Sequence, residues 1–227
     1  MKRLFCVLLT VVLVLGLTAC SGGEKQTDNS SPAALREVGV YKLGTDGFAD
    51  VQSHFYDYFL NLIGFGHITY SDKNGDFADS ELLQFTALRL SYEGKDIDAG
   101  LTLRDINRTA TRYLGQKPSQ VEGDYFTCDK ENDLYFPKDI GYAFGQLMSL
   151  ERLTVQENGI CVGEFRRAQW VKSYGEGRTD DEIKQNFLSG RYEGLEKVEH
   201  VRVTFRERNA AAYGYYIEVL SIEKIAM

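Results

Sequence analysis

The hydrophobic period of this chain changes near Pro118, and that change constrains the fold more than any single motif does. Ahead of it, apolar residues recur at steps of three and four; beyond it they alternate. Phe48 to Ile63 reads as a helix, with Val51, Phe55, Phe59 and Leu62 on one face and Phe48 and Tyr58 alongside. Ser80 to Ser91 is a second, capped by Asp79 or Ser80, with a wide apolar face of Leu82, Leu83, Phe85, Leu88 and Leu90. The third starts at Thr102-Leu103-Arg104-Asp105, carries Ile106, Ala110 and Tyr113 or Leu114 as a stripe, and stops at Gly115.

Beyond Pro118, Asp124 to Cys128 and Leu134 to Phe136 read as short strands, and Tyr142 to Met148 is open between strand and helix. Leu153 to Glu157 and Ile160 to Val171 flank Asn158-Gly159, which predicts a hairpin on a two-residue type I′ turn. Lys172 to Glu196 is a long connection holding one short helix between the capping box Thr179-Asp180-Asp181-Glu182 and Gly190. Val198 to Arg208 places Val201, Val203 and Phe205 on one face and His200, Arg202, Thr204 and Arg206 on the other. Asn209 to Ala212 turns the chain into Tyr213 to Ile225, its antiparallel neighbour. Helices followed by antiparallel strands define an α+β class, with the N-terminal helices packed on one face of a curved sheet.

The leader is a separate matter. Met1-Lys2-Arg3 is a cationic head, Leu4 to Leu17 an apolar run shorter than a membrane span, and small residues follow. Leu17-Thr18-Ala19-Cys20 matches the lipobox at every place, so the leader resembles that of bacterial lipoproteins. The resemblance implies removal of residues 1–19 and a diacylglyceryl group, with palmitate-type chains, on the sulfur of Cys20. Two chains anchor stably where one holds marginally. Residues 20–33 then form the lipidated cysteine and a flexible tether, and 34–227 a single domain on the extracytoplasmic face of the membrane.

Charge excludes one partner class. The chain has 26 Lys and Arg against 33 Asp and Glu, a net charge of −7, and loss of Lys2 and Arg3 makes the mature form more acidic. Nucleic acid is therefore not expected as a partner. With Cys6 in the leader and Cys20 lipidated, Cys128 and Cys161 remain. A disulfide between them and two buried thiols are both open readings in an oxidising compartment.

The order of elements resembles the NTF2-like and cystatin-like folds, where helices fill the concave side of a bent sheet. It also resembles small α+β lipoproteins of Gram-positive bacteria whose roles are mostly uncharacterised. The NTF2-like resemblance implies a cone whose mouth could carry Tyr58 or His54.

Motifs for chemistry are sparse. From Asp72, glycine falls at the fourth place of the would-be calcium loop instead of the sixth, and Leu83 stands where the closing glutamate belongs, so a solvated turn is expected. His54, His67 and His200 have no metal-ligand spacing. Ser221-Ile222-Glu223-Lys224 lacks the companion elements of penicillin-recognising enzymes. His200, Arg202 and Arg206, with Arg208, line one strand face as a solvated ladder or as a contact for an anion or partner. No catalytic residue, metal or cofactor is expected. The reading is a lipid-anchored protein that binds a small ligand or an envelope partner; a small hydrolase or isomerase built in a cone pocket is the alternative.

Overall fold

The computed structural model describes residues 36–62, 65, 68–138, 146–169 and 177–226. The leader, Cys20, the tether, Gly64, His67 and Tyr142 to Gly145 lie outside the described residues. The elements run β1 (Gly39–Lys42), α1 (Phe48–Asn61), α2 (Asp79–Tyr92), β2 (Leu101–Thr102), α3 (Leu103–Leu114), β3 (Phe126–Asp129), β4 (Leu134–Pro137), β5 (Gln146–Val155), β6 (Ile160–Gln169), α4 (Asp180–Leu188), β7 (Glu196–Ala210) and β8 (Gly214–Lys224). No helix among them is long and apolar enough to cross a membrane.

The strands form two antiparallel sheets, one ordered β1-β5-β6-β7-β8 and one ordered β2-β4-β3. The α+β class holds, with two departures from the sequence reading. Strand β1 precedes the helices and pairs with β5, from Gly39↔Val155 to Lys42↔Arg152. The short strands β3 and β4 do not extend the large sheet; with β2 they make a small one of their own.

The inner face of the large sheet is the predicted one. Val201, Val203 and Phe205 are fully buried, and Phe55 and Phe59 of α1 pack there with Phe165 of β6. Phe55 meets Phe165 and Phe205 edge to face at 5.9 and 5.3 Å between ring centres, the arrangement favoured by the ring quadrupoles. Gly163, on the same face of β6, leaves room for the Phe165 ring to lie back over the strand; a Cβ there would overlap the ring.

The wide apolar face of α2 has two partners. Leu82 and Phe85 join the main core, while Leu83, Ala87 and Leu90 pack with Leu101, Ile106 and Phe126 beneath the small sheet. Helix α3 is capped as expected, with the Thr102 hydroxyl accepting from the Asp105 N–H and Gly115 left-handed at φ 65°. Helix α4 has its full capping box, Thr179 with Glu182.

Two turns differ from expectation. Between β5 and β6, Gly159 is left-handed at φ 73° while Asn158 is not, so the turn is not type I′. The Gly159 N–H donates to the Gln156 carbonyl, and the Asn158 side chain accepts from the Ile160 N–H. That side-chain bond favours a longer connection closed by a left-handed glycine. The β7–β8 ladder continues to Ala210↔Gly214, so the turn falls at 211–213, later than the predicted Asn209 to Ala212.

Cys128 and Cys161 stand as free thiols in this structure, Cys128 partly exposed and Cys161 buried. Cys128 pairs with Tyr135 in the small sheet, and Cys161 with Val155 and Phe205 in the large one, each within a different layer of packing.

Candidate functional site

Strand β7 continues its inward alternation one step past Phe205, and that step places Glu207 on the core face. A buried carboxylate requires partners. Arg36 Nε lies 3.1 Å from Oε1 and 3.0 Å from Oε2, with hydrogen-bond geometry met at Oε1. The Tyr215 hydroxyl donates to Oε1 at 2.7 Å, and that phenol oxygen itself stands 2.9 Å from His54 Nε2 on α1.

Proton counting orders this chain. Tyr215 has one hydroxyl proton and gives it to the carboxylate, which can only accept. The imidazole contact therefore runs from Nε2–H of His54 to the phenol oxygen, leaving Nδ1 as the acceptor. Burial lowers the His54 pKa and the nearby Arg36 charge lowers it further, against smaller opposing effects of Glu207 and Asp57, which favours the neutral ring. Burial raises the Tyr215 pKa, and the Glu207 charge and hydrogen bond add to that, so the phenol stays protonated.

His54 and Tyr215 form part of the wall of a cleft of about 450 Å³. Asp57, Tyr58, Asn61 and Leu62 of α1 and its end, Arg89 and Tyr92 of α2, Tyr113 of α3 and Tyr216 of β8 complete it among the described residues. Tyr58 is positioned by accepting the Ile217 N–H at 2.8 Å. Burial pushes its phenol pKa up. The Asp57 carboxylate pairs with Lys184 of α4 at 2.7 Å. Glu207 is not in the wall; it works from beneath, through Tyr215.

In two other cavities several polar groups bond within the fold. In one, of about 430 Å³, Arg167 donates to Glu199 at 2.9 Å and to the Thr69 carbonyl at 3.1 Å, and Tyr70 donates to Glu199. In the other, of about 640 Å³, Gln116 bridges Phe77 and Gly75, and Asp79 takes Ser119 and Gln120.

The cationic strand face proposed from the sequence is laced with carboxylates. His200 Nδ1 lies 3.0 Å from Glu151, Arg202 reaches Glu164 and Glu223, and Arg206 and Arg208 share Glu218. At Asp72 the side chain accepts from the Asn74 and Asp76 N–H groups, forming a turn. No group of three or more potential metal ligands stands together among the described residues. Burial pushes the Cys161 thiol up to about 12, as an inert core thiol requires.

Sequence reasoning named His54 and Tyr58 for a pocket mouth, and both line the cleft. It missed Glu207, Tyr215 and Arg89. The signal for Glu207 was available: counting by two from Val201 reaches it on the core face. No family model, curated protein or solved structure matches this chain.

Proposed function

We propose that this chain is a lipoprotein anchored through Cys20 to the extracytoplasmic face of a membrane, and that its domain binds a small ligand of the cell envelope without transforming it. The lipobox Leu17-Thr18-Ala19-Cys20 supports the address. The observation that carries the binding role is the open cleft walled by five tyrosines, a concave aromatic surface set with polar side chains from His54, Asp57, Asn61 and Arg89, of the kind that holds and orients small ligands. An NTF2-like or cystatin-like relationship is part of the reading, supported by one antiparallel sheet with α1 across its inner face. Here the phenylalanines of α1 occupy that face, and the cleft opens beside it. A filled inner face favours binding over catalysis.

The alternative is a small hydrolase or isomerase, favoured by the Glu207–Tyr215–His54 chain, which would orient Nδ1 as a general base. Ester hydrolysis above the buffer rate that vanishes in H54A would support it.

The anchoring half is tested by expressing the full chain and C20S. The wild type should partition with membranes and incorporate labelled palmitate, and C20S should do neither. A wild-type product that keeps its initiator methionine, or bears an unmodified thiol at Cys20, overturns the placement.

A further inference from the structure

Arg89 is the cation of the cleft wall, and most of its freedom is already spent. Its Nε donates to Glu93 at 2.9 Å, one helical turn on. Its guanidinium carbon lies over the rings of Tyr92 and Tyr113, at 5.2 and 5.0 Å. Tyr113 is held in turn, donating its hydroxyl to Glu93 at 3.0 Å. The two terminal nitrogens of Arg89 have no partner among the described residues. A guanidinium fixed at Nε and packed on aromatic rings presents these nitrogens as a planar fork, whose natural complement is a carboxylate taken by two parallel hydrogen bonds.

The surrounding charges favour a single negative charge. Glu93 is shared by Arg89 and Arg112, which leaves this corner cationic in an acidic protein. Asp57, also in the wall, is offset by Lys184. With one cation and one carboxylate facing the space, a dianionic phosphate is poorly served. Most of the remaining wall is aromatic, with Tyr58, Tyr92, Tyr215 and Tyr216 beside His54, Asn61 and Leu62 around a volume suited to a ring or two.

We propose that the cleft receives a small molecule made of a ring-shaped body and one carboxylate, with the carboxylate on the fork of Arg89 and the ring against the tyrosines. This rests on the binding role proposed above and narrows it to a ligand class.

Two matched pairs of probes test it on the full chain in detergent by calorimetry: benzoate against benzamide, and methyl glucuronide against methyl glucoside. In at least one pair the acid should bind about tenfold more tightly than its neutral partner, as a charge-assisted bidentate contact provides. The pair that responds identifies the ring as aromatic or pyranose. R89Q should erase the preference and R89K retain part of it, with melting curves checked because Glu93 loses a partner in R89Q. Y92L, at a ring that is 58% exposed, should weaken acid and neutral probe alike without disturbing the core. Equal binding of acid and neutral partner, or a preference that survives R89Q in folded protein, overturns the carboxylate and leaves the binding role standing. Silence from all four probes also overturns the carboxylate. The binding role falls with it only if a small-molecule extract of the cell envelope fails to raise the melting temperature.

Discussion

His54 shows how a single side chain can be specified by residues far away in sequence. Its ring is held by Tyr215, Tyr215 by Glu207, and Glu207 by Arg36, so the imidazole nitrogen left over is set by proton counting along the chain. The consequence for stability has a definite sign. The folded ring has a pKa below the ordinary 6.5, so on acidification the unfolded chain takes up a proton the folded chain refuses. Stability from this group is complete above about pH 6.5 and declines as pH falls from there toward the folded value. H54Q, which keeps a donor for Tyr215, should flatten the fall of melting temperature between pH 7 and pH 5; an unchanged slope would show that His54 is not the group. None of this was legible from the residue itself, since a histidine in a helix is usually unremarkable. Glu207 was partly legible, because strand alternation runs on past Phe205 whether or not the next inward residue is apolar.

At the scale of elements, local chemistry carried well wherever a bond closes within a few residues. The Thr102 and Thr179 caps and the stop at Gly115 were readable because cap and partner lie within one turn of helix. The Asn158-Gly159 turn misled because two chemistries compete there: the residue pair favours a left-handed dipeptide, yet the Asn158 side chain captures the Ile160 N–H with ordinary backbone angles. Gly163 carries information of another kind. A glycine inside a strand lowers strand propensity, and only the Phe165 ring folded over it explains why it is there. G163A should therefore destabilise by overpacking, by about 1–3 kcal/mol in chemical denaturation, although alanine is elsewhere the better strand residue. A neutral or stabilising outcome would mean that the ring can find another seat.

The whole molecule is built in layers, and layers are what a single sequence conceals. Strands of two to four residues contain too few alternations to say which sheet they join, so β1, β2 and the separate sheet of β3 and β4 emerged only with their partners. That separation keeps Cys128 and Cys161 apart. Iodoacetamide applied to the native chain should modify Cys128, which is half-exposed, while Cys161 reacts only after unfolding. Rapid native labelling of Cys161 would contradict its place in the core. The bond from Arg36 to Glu207 joins positions 171 residues apart. A pull applied at Arg36 is carried directly to that carboxylate, two links from the imidazole in the cleft. Force entering there would be felt by the cavity wall ahead of the phenylalanine core.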